Sequence, residues 1–180
     1  MKSTKHLLSS MIALVVAIII AYGCSSISVN QDYNTSFDFS KWKTFGFIPI
    51  PESAGIDQIN ATRVGDAIKK QLLAKGYKLE EPADFGVAIV FSKQQVTDVQ
   101  SYGYGYGYGY WGGAGGVDVT QYEQGTLLID FIDMKDNQLE WRGSGQGALQ
   151  DNPSVEDRMA NIDTAVAQIL AQFPPNMTQK

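Results

Sequence analysis

The chain has 180 residues, of which 44% are apolar, 18% charged and 11% aromatic, with a formal net charge of −5. That length supports one ordinary globular domain and leaves no room for two large ones. The acidic balance argues against nucleic acid as a partner, and a single cysteine, Cys24, rules out an intrachain disulfide.

The N-terminus reads as an address. Lys2 and Lys5 precede an unbroken apolar run from Met11 to Ala21, and Gly23-Cys24 follows. A basic start, an apolar run and small residues at a cut site form the layout of a secretory signal. Leu7 to Tyr22 offers 16 residues interrupted by Ser9 and Ser10, short of the roughly 20 that a spanning helix needs. Ala21-Tyr22-Gly23-Cys24 resembles the lipobox of bacterial lipoproteins. The resemblance implies a signal peptide over residues 1–23 and a diacylglyceryl group, with a further acyl chain such as palmitate, on Cys24. Ser25 stands where an Asp would retain the protein at the inner membrane. The resemblance therefore implies the outer membrane, on its periplasmic face. Each buried CH₂ contributes ~0.8 kcal/mol, so more than one chain makes a durable anchor. Loss of residues 1–23 removes Lys2, Lys5 and the only histidine, His6, and takes the formal charge to −7.

Residues 24–180 are expected to form one domain. Ile27, Val29, Gln31 and Tyr33 alternate with Ser28, Asn30 and Asp32, the pattern of a first strand. It starts three residues after Cys24, which at ~3.5 Å per residue keeps the domain within about 10 Å of its anchor point. Lys43 to Ile50 reads as a second strand ending at the prolines 49 and 51, and residues 51–58 as a loop. Ala61, Val64, Ile68 and Leu72 recur at helical spacing, with Asn60 as N-cap and Gly76 just past the end. Tyr77 to Leu79 makes a short strand. Phe85 to Phe91 is apolar at nearly every position, as in a strand covered on both faces. Thr126 to Met134, a turn at Asp136-Asn137 and Gln138 to Arg142 read as a hairpin. Val155, Met159, Ile162, Val166, Ile169 and Phe173 mark a second amphipathic helix, opened by a capping box at Ser154-x-x-Asp157 and closed by Pro174-Pro175. The order predicts an α+β fold: a mostly antiparallel sheet with two amphipathic helices packed on one face.

Several segments carry a family resemblance: Asp38 to Phe45, Lys75-Gly76-Tyr77, Ala83-Asp84-Phe85, Glu123 to Asp130, Trp141-Arg142-Gly143 and Phe173-Pro174-Pro175. In this order the chain resembles the bacterial lipoproteins of the domain-of-unknown-function 4136 family. The resemblance implies a lipid-anchored α+β envelope domain and brings no catalytic residues with it.

Without His6 the chain has no histidine, which excludes Ser-His-Asp and Cys-His catalysis and any His-ligated zinc or copper site. No cofactor, metal ligand set or catalytic residue is assigned. Asp130, Asp133 and Asp136 are spaced too widely for a calcium loop. Asp133 is expected diagonal to Arg142 as a cross-strand ion pair, and Asp130 on a face with Leu128, Ile132 and Trp141, where a carboxylate needs a partner. Gly143, Gly145 and Gly147 lack the Lys-Ser/Thr of a phosphate cradle and read as a flexible turn. Trp42 and Trp141 read as core.

The outlier is a Tyr/Gly-rich loop at 101–116. Tyr102, Tyr104, Tyr106, Tyr108 and Tyr110 alternate with glycine and end at Trp111. If extended, the five Tyr share one face that offers contact to glycan, protein or lipid headgroups. A low-complexity insertion in a hairpin loop is the bland alternative.

These features favour a lipid-anchored, non-enzymatic binding or scaffold module in the periplasm, with envelope proteins or peptidoglycan as partners beyond the membrane. The alternatives are a carboxylate-based cell-wall hydrolase, using Asp130 with Glu123 or Glu140, and a surface adhesive protein using the Tyr-Gly tract. Replacing residues 102–116 with a short Gly-Ser turn should leave the melting temperature within a few degrees of the parent, because doubling a loop costs only ~0.6 kcal/mol. Loss of the folding transition in calorimetry would make the tract part of the folded core.

Overall fold

The computed structural model describes residues 27–101 and 117–176. Period-two alternation produces β1 (Ser28–Tyr33), whose side chains alternate between exposed and half-buried. A short 3-10 turn at Phe39–Lys41 leads into β2 (Thr44–Phe47). Helix α1 runs from Gln58 to Ala74 and buries Ala61, Val64, Ala67, Ile68 and Leu72. The expected stripe is there, but the helix starts earlier than Asn60. Asp57 is the N-cap: its carboxylate accepts the Asn60 amide N–H at 3.0 Å and the Asn60 side-chain N–H at 2.6 Å. At the other end Gly76 adopts φ +92°, with its N–H on the Leu73 carbonyl and the Tyr77 N–H on the Leu72 carbonyl. That is a Schellman closure, which requires the left-handed conformation that glycine adopts at low cost.

Strands β3 (Lys78–Leu79), β4 (Phe85–Ser101), β5 (Val117–Asp133) and β6 (Leu139–Ala148) follow, then helix α2 (Val155–Leu170). Ser154 caps α2 by accepting the Asp157 N–H at 3.0 Å, as its sequence predicts. The six strands form one sheet in the order β1-β6-β5-β4-β2-β3. The fold is α+β, but the sheet is mixed. β1, β6, β5 and β4 pair antiparallel, whereas β2 lies parallel to both β4 and β3. The reason is the crossover through α1, which returns the chain to the end of the sheet where β2 began.

Strands β4 and β5 are longer than their apolar cores. Their ladder runs without a break from Phe85↔Asp133 to Ser101↔Val117, although the apolar pattern marks only residues 85–91 and 126–134. β6 follows β5 as far as Gln124, and Leu149 donates to the Glu123 carbonyl. From Val96↔Tyr122 outward, β4 and β5 pair with each other alone among the described residues. This ribbon escapes an apolar-periodicity reading because Thr97, Asp98, Thr120 and Gln121 are exposed and only Val96 and Tyr122 are half-buried.

Residues from both helices meet one set of alternating strand positions in a single core cluster. It includes Ile68 and Leu72 of α1, Val166, Ile169 and Leu170 of α2, and Phe85, Val87, Ile129, Phe131 and Trp141 of the sheet. Phe173 fills its centre, with ring centroids 4.6 Å from Phe131 and 5.2 Å from Trp141. Trp42 stacks on Phe85 at 4.5 Å. Both tryptophans are core, as expected, and each indole N–H has a partner: Asp133 for Trp42 and Gln31 for Trp141, both at 3.0 Å.

Two expectations fail here. Gly143, Gly145 and Gly147 are not a flexible turn; they lie within β6, which pairs on both sides. A Cβ at Gly143 would stand 2.5 Å from Ile169 Cγ2, and one at Gly145 would stand 2.7 Å from Ile169 Cδ1. The missing side chains let α2 lie close on the strand. Val155 and Met159, read as part of the buried stripe, are 54% and 51% exposed. The burial of α2 is concentrated at Val166, Ile169 and Leu170 in its last turns. Ile169→Ala should therefore cost about 2–4 kcal/mol of stability in urea denaturation, and Met159→Ala less than about 0.5. Equal losses would place the helix differently.

Candidate functional site

The sheet has a second, more polar face, and its charged centre is Arg142. The Arg142 Nε–H donates to Asp130 Oδ1 at 2.7 Å and its Nη2–H to Asp130 Oδ2 at 2.5 Å, a bidentate pair across β5 and β6. The Asp130 side chain is 11% exposed and that of Arg142 45%. The hydrogen bond to Asp130 raises the Arg142 pKa above its ordinary value against the opposing effect of burial; the charges of Asp130 and then Asp32 add to the rise. Asp32 lies directly across from Arg142 on β1.

The ion pair is thus Arg142 with Asp130, not with Asp133. A β-bulge between Phe131 and Ile132 explains the difference. Ile132 pairs with Leu139 and Phe131 with Trp141, so Glu140 is the extra residue. One residue of slip exchanges faces. Trp141 turns to the helices and leaves the face of Asp130, and Arg142 takes its place there. Asp133 instead accepts from the Trp42 indole and the Lys135 amide.

The acids proposed as a hydrolytic pair do not converge on a cleft. Both oxygens of Asp130 are held by Arg142. Glu123 lies seven positions away on the same strand, about 24 Å at ~3.4 Å per residue and on the opposite face. Glu140 is buried in the bulge, and its Oε2 has no hydrogen-bond partner among the described residues. Nothing in the sequence pattern marks that bulge. Among the described residues no three Asp, Glu, His or Cys side chains form a metal-ligand group, and no helix is long and apolar enough to cross a membrane. Cys24 and the contact residues of the tract, Tyr102, Tyr104, Tyr106, Tyr108, Tyr110 and Trp111, lie outside the described residues.

A groove of about 340 Å³ opens where the 3-10 turn, the α1 closure and the C-terminal Pro174-Pro175 meet. Ser40, Trp42, Lys43, Lys75 and Tyr77 line it together with Asp38. Three of the segments that carry the family resemblance come together there. Hydrogen bonds from the Ser40 hydroxyl and amide hold the Asp38 carboxyl below its usual range, and burial raises the Tyr77 phenol. Asp38 is 4.0 Å from Lys41, whereas Lys43 and Lys75 are bridged to no carboxylate among the described residues. Asp84 fixes the groove wall. Its Oδ2 accepts the Lys43 and Thr44 amides at 2.7 and 2.9 Å, and its own N–H donates to Thr44 Oγ1 at 3.0 Å. A second, more apolar groove of about 520 Å³ lies between β2 and α1, lined by Phe47, Ile50, Ile56 and Ala61.

The family model for "Domain of unknown function (DUF4136)" matches residues 29–175. The chain belongs to this family. No curated protein matches it. Among solved structures, a PDZ domain protein from Parabacteroides distasonis is 15% identical with a TM-score of 0.56 and shares the fold. The match covers 83% of this chain but 36% of that one, so this chain spans little more than a third of that protein's length. Looser likenesses link it to the PelC dodecamer from Paraburkholderia phytofirmans and to a minor lipoprotein from Acinetobacter baumannii. The first is 11% identical over 81% of this chain and 95% of that one, with a TM-score of 0.48. The second is 16% identical over 73% and 92%, with a TM-score of 0.39.

The Asp84 clamp has a pH signature. Amide hydrogen bonds, that of Lys43 first, lower the Asp84 pKa in the folded chain. A depressed folded pKa gives stability that is present above the unfolded carboxylate value and lost as pH falls through the folded one. Asp84→Asn should cost about 1–2 kcal/mol at neutral pH, and the gap to the parent should close on acidification. A gap that stayed constant down to strongly acid pH would show that the charge on Asp84 is not what holds β2.

Proposed function

We propose that this chain is a lipid-anchored, non-enzymatic binding or scaffold module of the bacterial cell envelope, held at the periplasmic face of the outer membrane through Cys24. The observation that carries the reading is the order at the N-terminus: a basic start, an apolar run and Gly23-Cys24, only four residues ahead of β1. Membership of the family supports the same class of protein. The two helices, on this reading, cover one face of the sheet and leave the face of Asp130, Arg142 and Asp32 toward solvent. Commitment of Asp130 to Arg142 supports binding over hydrolysis, because a general acid or base needs a free oxygen within reach of substrate. Envelope proteins and peptidoglycan are the partners such a module would meet.

Cys24→Ser should move the protein from the membrane to the soluble periplasmic fraction, because it removes the site of acylation. Retention of the variant in the membrane after a carbonate wash would make residues 7–22 a spanning helix. The purified parent should release no soluble fragments from peptidoglycan; release that disappears in Asp130→Asn would restore the hydrolase.

A further inference from the structure

The groove of about 340 Å³ beside Asp84 has a charge pattern as well as a shape. Its charged lining is Asp38, Lys43 and Lys75, net positive in a chain that carries −7 once residues 1–23 are lost. Lys43 and Lys75 are exposed and bridged to no carboxylate among the described residues. Asp38 is only half engaged. Its Oδ1 accepts from the Ser40 hydroxyl at 2.6 Å and the Ser40 amide at 3.1 Å, while its Oδ2 stands 4.0 Å from Lys41. Two cationic donors and one anionic acceptor therefore line the same space.

The walls are firm. The Tyr77 ring packs against Phe85 at 5.6 Å and Phe173 at 5.7 Å, and Pro174 and Pro175 add apolar surface. Burial raises the Tyr77 phenol, so its O–H stays protonated at neutral pH and can donate. The Gln71, Leu72 and Leu73 carbonyls at the end of α1 accept the amides of Lys75, Gly76 and Tyr77, which tempers the negative end of the helix dipole.

We propose that this groove binds a short peptide carrying two or more carboxylates and one ammonium group, the make-up of a cell-wall stem peptide that contains a diamino acid. Its carboxylates meet Lys43 and Lys75, and its ammonium meets Asp38. A phosphate alone would satisfy the lysines but would leave Asp38 opposed to it. The proposal rests on the reading of the chain as a binding module and names the ligand class of that module. The lipid tether leaves the groove open. Ser28 lies in the row of Ser92, eight residues from Asp84, about 27 Å at ~3.4 Å per residue. The four residues from Cys24 to Ser28 span only about 14 Å.

The test uses the full-length protein in detergent micelles, titrated calorimetrically with the N-acetylated tripeptide Ala-γ-Glu-diaminopimelate. Lys43→Gln and Lys75→Gln should each weaken binding at least fivefold and the double variant at least twentyfold. Lys93→Gln, an exposed lysine farther along β4, should stay within twofold of the parent. All of these are surface changes and should melt with the parent. The peptide with its carboxylates amidated should not bind. Equal affinity of the amidated peptide, parent-like affinity in the double variant, or no binding to the parent at millimolar peptide overturns the proposal. So does displacement of the peptide by an equimolar amount of inorganic phosphate, which would make the groove a plain anion site. Co-sedimentation with whole peptidoglycan separates the groove from the module. Loss of sedimentation in the double variant supports the groove, whereas equal sedimentation of parent and double variant keeps the module and overturns the groove as its contact.

Discussion

Between Leu139 and Trp141 the strand β6 carries one residue more than β5 can pair, and the two faces of the sheet are organised around that surplus. Past the bulge, Trp141, Gly143 and Gly145 share the face against which Ile169 packs, while Arg142 and Ser144 lie on the other. Without the extra residue the pattern would invert, placing a guanidinium under α2 and an indole in solvent. Trp141 is fully buried and rests 4.8 Å from Phe131, and Arg142 lands beside Asp130. The arrangement leaves a buried carboxylate oxygen of Glu140 without a partner among the described residues, a cost of about 1–3 kcal/mol that the packing of Trp141 offsets.

On the helix side, aromatic rings tie distant segments to one point. Phe173, just beyond α2, sits against Phe39 of the 3-10 turn, Tyr77 of the α1 closure, Phe131 of β5 and Trp141 of β6. Edge-on and tilted contacts of this kind add about 0.5–1.5 kcal/mol per pair beyond area burial. The groove lined by Lys43 and Lys75 lies directly outside this cluster, so its walls inherit the rigidity of the core. On the face of Asp130 the order comes from the Arg142–Asp130 pair and the ladder itself.

Much of this fold was legible in the sequence, for reasons that differ by element. The α1 stripe, the Gly76 closure, the Ser154 cap and the core strands follow from periodicity and end chemistry, which are local. The parallel placement of β2 was not legible, since no residue in Thr44–Phe47 records which neighbour it will find. The bulge was hidden for a related reason: Glu140 differs from an ordinary strand residue only in what lies across from it. The glycines of β6 misled because a glycine needed for close packing and a glycine needed for flexibility are the same letter. The ribbon was missed because residues such as Thr97, Asp98, Thr120 and Gln121, polar on successive positions, leave no alternating signal. Of the candidate site, the partnering of Asp130 was expected, but its partner was not, since the bulge decides it.

The close seat of Ile169 over Gly143 and Gly145 has a meaning for how this protein can change over generations. A methyl group gained on the strand collides with the helix, and carbon lost from the helix leaves a void over the strand. Neither position can drift in volume by itself without loss of packing. Variation at 145 is therefore coupled to the size of residue 169, whereas at 143 the ring of Trp141 stands in the way as well. Each change made alone costs stability, about 2–5 kcal/mol for a void left by truncation and about 1–3 for an overpacked site. Helix and strand are bound to change as a pair, each holding the volume of the other in place.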